Sequence, residues 1–315
     1  MDSKLFFQNC PAAIIAIAGY ANTTTAAMLA EIFQTYFATT DLGDRVRLVA
    51  AAADPKHNIT RDLDTLGDIS NIDIVLYLLS DEQLEHLAVN LPYLVIGQTT
   101  DPNTNLAAIR STNLHARATF FLGRDLNSYA LANRTLAPTK LAFPDDLPFP
   151  LPELQVVGDW QRECADAAAL VAAEFKLPPE LIQNALHQFN ELPHHLDFIR
   201  EVGGVKYYDD GISDSPELAT VSIKTFDRPI IISTQEFPDS LVKRQIIIPV
   251  VPTEFATEFK TRESMVGDPL VERADSLADA TQLASIFAVP GDTVLYVPAA
   301  PGLSSEAFVI EVNKL

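Results

Sequence analysis

Residues 19–25 read Gly-Tyr-Ala-Asn-Thr-Thr-Thr, between the apolar run Ala12–Ala18 and an amphipathic stretch reaching Phe37. A strand ending in glycine, then a short loop, then hydroxyl-bearing residues opening a helix, is the layout of a site for nucleotide phosphates. Backbone N–H groups there face the anion, and the helix dipole favours negative charge. Such a site also needs a cation, and no Lys or Arg occurs between Lys4 and Arg45. Two readings stand side by side: residual anion binding at a helix N-terminus, or an ordinary strand-to-helix turn in which Asn22 caps the helix.

A second concentration of titratable groups lies further along. Asp209, Asp210 and Asp214 follow a β-like run, and His194 and His195 precede it. Carboxylates suit Mg2+ or Ca2+, but this spacing fits no standard loop. The plainer reading is a set of solvated turn residues after a hairpin. The paired histidines read as an acid–base pair near neutral pH, or as surface or hinge packing. Cys10 and Cys164 read as free buried thiols, since no CxxC spacing occurs and two cysteines make no framework.

The elements that must position these residues alternate in type. Strands are expected at Ala12–Ala18, Val46–Ala52, Asp73–Leu79, Tyr93–Gly97 and Thr119–Leu122, with helices at Thr23–Phe37, Asp81–Val89 and Asn105–Asn113. Runs apolar on both faces, separated by helices, call for a parallel sheet in an α/β fold. Leu136–Gly158 holds five prolines and reads as an extended crossing segment or edge strands. Helices follow at Asp159–Phe175 and Glu180–Phe189, the latter opened by Pro178 and Pro179. From Leu192 the pattern changes. Two alternating runs joined by Gly203-Gly204 make a hairpin. Then come the helix Glu217–Thr225, the strands Pro229–Ser233 and Gln245–Val250, the helix Leu277–Phe287 and the strand Thr293–Val297. This is a second α/β unit.

With 315 residues the chain is long enough for two domains, and its 48% hydrophobic content is that of a folded protein. Acidic residues number 42 and basic residues 22, a net charge of −20 that repels nucleic acid and anionic lipid. No apolar stretch approaches the ~18 residues of a membrane span. The first ten residues lack the pattern of a signal peptide. The expectation is a cytoplasmic protein with neither a nucleic-acid nor a membrane partner.

The order of these segments resembles the Mur ligase family, its D-glutamate-adding branch above all, from Ser3 to about Ile310. Three passages carry the likeness. KLFFQNCPAAIIAIAG (Lys4–Gly19) looks like the approach to the family's nucleotide loop. Glu180–Phe226, with HHLDFIREVGGVKYYDDGISDSPE at its heart, looks like the entry to the C-terminal domain. ADSLADATQLASIFAVPGDTVLYVPAAPGLSSEAF (Ala274–Phe308) looks like that domain's end. The resemblance implies a P-loop-type central domain over Met1–Glu191 and a Rossmann-like C-terminal domain over Leu192–Leu315. It also implies a reaction of cell-wall precursor synthesis that uses ATP and Mg2+: phosphoryl transfer activates a carboxylate, and an amine displaces the phosphate. Such enzymes begin with a UDP-sugar domain. Here the nucleotide loop lies almost at the N-terminus, so that domain is expected to be absent.

The family's residues transfer position by position, and many do not match. Of the loop G-T-N-G-K-[ST]-T, Gly19, Thr24 and Thr25 remain, while Asn22 stands for the second glycine and Thr23 for the lysine. Asn tolerates the left-handed backbone a glycine would adopt. Leu78 stands where an acidic Mg2+ ligand is expected. GQTTDP (Gly97–Pro102) keeps Thr99 and Asp101 but has Pro102 for a histidine. Ile109 takes the place of the modified lysine, with Arg110 beside it. Trp160 and Gln161 replace the His-Asn of G-x-H-N, and His195 replaces an arginine. Asp210, Ser213, Pro216 and Glu217 persist from the segment that contacts adenosine and phosphate, while Asp214 adds a negative charge. Trp160 and Tyr20 read as aromatics filling a vacated pocket, or lining one for another ligand.

The nucleotide-binding remnant is thus Gly19, Asn22, Thr23, Thr24, Thr25, Gln161, His195 and Asp210, with no catalytic or metal residue assigned. Losing one charge-stabilising group typically costs on the order of a hundredfold in rate, and here several are lost together. The expectation is a pseudoenzyme with a degenerate P-loop, acting through a protein partner such as a cell-wall enzyme or ligase. The alternative is a working ATP-dependent carboxylate–amine ligase whose cations come from Arg110, Lys206, Lys224 or another subunit. A third reading is a module for a small anion bound at the helix N-terminus by Asn22.

Overall fold

The structure is a computed structural model that describes residues 12–19, 21–40, 44–50, 70–79, 93–97, 116–213, 216–248, 271–298 and 304–315. The chain divides into two compact units, Met1–Asn190 and Glu191–Leu315.

In the first unit, six strands form one sheet: β1 (Ala13–Ala18), β2 (Val46–Ala50), β3 (Ile74–Leu79), β4 (Tyr93–Ile96), β5 (Ala118–Leu122) and β6 (Thr139–Phe143). Their order is β2-β3-β1-β4-β5-β6, and every pair is parallel. Nearly all of β1 and the whole of β3 are buried, which is why these runs show no polar alternation. Among the described residues of this unit the helices are α1 (Asn22–Thr39), α2 (Leu126–Arg134), α3 (Asp159–Glu174) and α4 (Pro179–Gln188). Helix α1 packs on α3 and α4. The buried Ala165, Ala167, Ala168, Ala169 and Ala172 of α3 let helices lie close. Phe33 meets Phe175 edge-on, with ring centroids 5.4 Å apart. The prolines between Leu136 and Gly158 flank an edge strand, β6. Helix α2 was not anticipated, and the helices expected at 81–89 and 105–113 lie outside the described residues.

The second unit holds β7 (Asp197–Val202), β8 (Val205–Asp209), β9 (Ile230–Ser233), β10 (Arg244–Ile247), β11 (Val271–Arg273) and β12 (Thr293–Tyr296), with α5 (Pro216–Ile223), α6 (Leu277–Phe287) and α7 (Ser305–Val312). Strand order is β11-β10-β9-β12-β8-β7. All pairs are parallel except the β7–β8 hairpin. The core gathers Tyr207, Ile230, Ile232, Ile246, Val294, Tyr296 and Phe308. Helices α6 and α7 start on serine caps: Ser276 accepts from the Asp279 N–H (3.1 Å) and Ser304 from the Ala307 N–H (3.3 Å). Strand β11 and helix α7 were not foreseen.

The hairpin turn has φ of +59° at Gly203 and +83° at Gly204, the left-handed pair that suits two-residue turns. A Cβ on Gly203 would meet open space, whereas one on Gly204 would lie 3.1 Å from Pro290 Cβ. Gly203→Ala should therefore cost only the left-handed penalty of about 1–2 kcal/mol. Gly204→Ala should cost measurably more in urea unfolding, and equal costs would show that Pro290 yields.

Candidate functional site

Strand β1 delivers the chain to the middle of its sheet, where Gly19 turns with φ +95°. Ala21 follows as the N-cap of α1, itself left-handed (φ +55°, ψ +28°) and with no side-chain cap. The Ala21 carbonyl accepts the Thr25 N–H at 3.0 Å. Asn22 was expected to cap the helix or to adopt the left-handed backbone, and it does neither. It is the first helical residue, and its Nδ2 donates to the Leu79 carbonyl at 2.8 Å. That bond ties the start of α1 to the end of β3, and the left-handed step falls one residue earlier. Thr23 keeps a 3.3 Å contact with the Asn22 side chain, while Thr24 and Thr25 are buried.

In an open parallel sheet, ligands gather at the carboxyl ends of the strands where the strand order reverses. That point lies between β1 and β4, because β2 and β3 build one side and β5 and β6 the other. A cavity there is lined by Ala18, Thr25, Gly97, Trp160, Glu163 and Cys164, among others, and encloses only about 10 Å³. That is scarcely room for one water. Trp160, 6% exposed, forms part of the wall. Buried Gln161 turns away, its Nε2 donating to the Val157 carbonyl at 3.0 Å. Cys164 points its thiol at the Ala21 carbonyl (3.7 Å), and burial pushes its pKa up to about 12, so it is no nucleophile. Leu78 is buried in β3. Glu163 was not singled out from sequence; it pairs with Arg124, so this guanidinium is already neutralised. Only the fold places Arg124 against Glu163.

In the second unit, the end of β8 carries Asp209 and Asp210, 0% and 1% exposed. The expectation of solvated turn residues is wrong here. Asp209 Oδ2 lies 2.6 Å from His194 Nδ1, and its Oδ1 accepts the Gly211 N–H at 3.0 Å. Asp210 Oδ1 accepts the Leu196 N–H at 3.2 Å, and Oδ2 accepts the Ser213 hydroxyl. Burial raises both carboxyls, that of Asp210 to about 6. His195 is 7% exposed, and burial, then the neighbouring His194, pushes it down to about 4. It is neutral at physiological pH. Lys206 and Lys224, considered as donors, are exposed in this same unit.

Gly19–Thr25 and Gln161 thus belong to the first unit, and His195 and Asp210 to the second. Tyr20, Thr99, Asp101, Ile109, Arg110 and Asp214 lie outside the described residues. Among the described residues, no group of three or more His, Cys, Asp or Glu is arranged to hold a metal. No helix among them is long and apolar enough to cross a membrane.

No family model matches the chain. Its fold matches solved Mur ligases: MurF from Acinetobacter baumannii (TM-score 0.63, 11% identity, 98% of this chain and 78% of that one) and MurC, the UDP-N-acetylmuramate-alanine ligase from Thermotoga maritima (0.62, 13%, 96% and 76%). The chain is similar to the Mur ligases, with the mixed α/β, parallel-sheet fold of their central and C-terminal domains. In sequence it is similar to their D-glutamate-adding members. The UDP-N-acetylmuramoylalanine–D-glutamate ligase of Roseiflexus sp. (strain RS-1) is 31% identical over 143 residues, 42% of this chain and 31% of that protein. The chain therefore aligns with about a third of the length of such relatives.

Proposed function

We propose that this chain is a cytoplasmic Mur-ligase-like protein of peptidoglycan synthesis that no longer performs ATP chemistry and acts by binding a protein partner. What supports this most is the missing positive charge, in each unit taken by itself. Thr23 replaces the lysine, Arg124 is held by Glu163, and His195 is neutral where an arginine would be charged. Phosphoryl transfer is driven by cations placed around the moving group, and none of these positions supplies one. The residues described do not fit a Mg2+–ATP complex. The partner would be another enzyme of cell-wall synthesis.

Calorimetric titration with ATP, with and without Mg2+, tests this reading. No heat at millimolar ATP, and no phosphate release with carboxylate substrates, is the expected result. Micromolar Mg2+-dependent binding would overturn it in favour of a working carboxylate–amine ligase that draws its cations from elsewhere.

A further inference from the structure

We propose that His194 and Glu306 form a binding site for a divalent transition-metal cation of the Zn2+ type, with water completing its shell. The site lies wholly in the second unit and involves no nucleotide, so it stands apart from the reading above. The His194 imidazole is oriented before any cation arrives. Its Nδ1 lies 2.6 Å from Oδ2 of buried Asp209, whose Oδ1 accepts the Gly211 N–H at 3.0 Å. In the neutral ring that carboxylate holds the proton on Nδ1, and Nε2 keeps its lone pair. The side chain is 32% exposed, so a hydrated cation can reach Nε2. A carboxylate behind an imidazole is the outer-shell arrangement that fixes the tautomer of a metal-ligating histidine and raises its basicity.

Glu306 supplies the second ligand from the first turn of α7. Its Oε1 stands 3.6 Å from His194 Nε2, too long for a hydrogen bond. Two ligands of one Zn2+, each about 2.0–2.2 Å from the metal at a tetrahedral angle, stand about 3.4 Å apart. The gap therefore suits a shared cation better than a direct bond. Glu306 Oε2 accepts the Ser304 hydroxyl at 2.7 Å, and Ser304 is itself fixed by accepting the Ala307 N–H. Each ligand thus has its own outer-shell partner. Tyr296, in register with Asp209 on the neighbouring strand, adds a separate observation: its buried hydroxyl makes no hydrogen bond. Burial, then the charges of Asp209 and Glu306, hold this phenol above its ordinary range, so it lies within their electrostatic reach. An orphaned buried hydroxyl is a group that a bound ion or its water satisfies. A nitrogen and a carboxylate oxygen suit Zn2+, Ni2+ or Cu2+, whereas Mg2+ and Ca2+ prefer oxygen alone. Two protein ligands are fewer than the four of a structural zinc site, so the cation here is exchangeable.

Calorimetric titration of the full chain with Zn2+ alone, without ATP, tests the site. The wild type should bind a Zn2+ equivalent that His194→Gln and Glu306→Gln each lose. Asp209→Asn should keep it with affinity lowered about 10–100-fold, the usual cost of an outer-shell change. Millimolar Mg2+ should not displace it. No Zn2+ binding by the wild type, an equivalent retained undiminished in either ligand variant or in Asp209→Asn, or displacement by Mg2+ would overturn the proposal. Glu306 is exposed and its change leaves the core untouched, so if the other variants do not fold, Glu306→Gln decides alone.

Discussion

Asp210→Asn should leave the protein about as stable as the wild type at pH 4 and about 3 kcal/mol more stable at pH 7. The carboxyl of Asp210 is buried, and its pKa rises from the ordinary 3.8 to about 6 in the fold. Between those values the folded chain keeps a proton that the unfolded chain has released, so stability falls as pH rises. Above the upper value the loss is complete. Roughly two pH units at about 1.4 kcal/mol each gives the figure. Asparagine carries no proton to lose. Its oxygen can still accept the Leu196 N–H, and its amide can donate to the Ser213 hydroxyl, so the geometry survives. Urea unfolding of both proteins by circular dichroism at pH 4, 5.5 and 7 gives the difference curve. A variant weaker by the same margin at every pH would mean that the ionised carboxylate is itself the preferred native form.

Gly211→Ala should cost about 2–4 kcal/mol although its backbone is unremarkable. A Cβ there would fall on the Ser305 side chain, in the first turn of α7, and close to Asp209 Oδ1. Overpacking of this kind costs about 1–3 kcal/mol. Displacing the Gly211 N–H from Asp209 adds about 1 kcal/mol. Only the overlap can be relieved at Ser305, so Gly211→Ala/Ser305→Gly should recover roughly half the loss in a double-mutant cycle. Strict additivity of the two changes would place the cost elsewhere than this contact.

The central strands were legible because their residues are apolar without alternation, and only a strand covered on both faces tolerates that. The Gly203-Gly204 hairpin was legible because its turn needs two left-handed residues. Helix α2 was not. Leu126 is 83% exposed and Tyr129 about half exposed, so its sequence shows no apolar stripe. Three-residue β11 and eight-residue α7 are too short for a period to register. At the candidate site, the spacing located the loop but not its left-handed residue, because Ala21 carries no signal for that conformation. The burial of Asp209 and Asp210 was invisible for a different reason. The groups that cover them, His194 and the start of α7, lie respectively about fifteen residues before and nearly a hundred after them in the chain.

Strand β12 lies between β9 and β8 and pairs with both. Until it is in place, the β7–β8 hairpin and the β9–β10–β11 set are two separate pieces sharing no strand pairing. On the ribosome both pieces are synthesised before the strand that joins them. The nascent chain must carry two open edges through that interval, one of them the Ile230–Ser233 edge with its three consecutive isoleucines. Such an edge invites pairing with other chains. The sheet of the second unit is therefore complete only once Thr293–Tyr296 has paired on both sides.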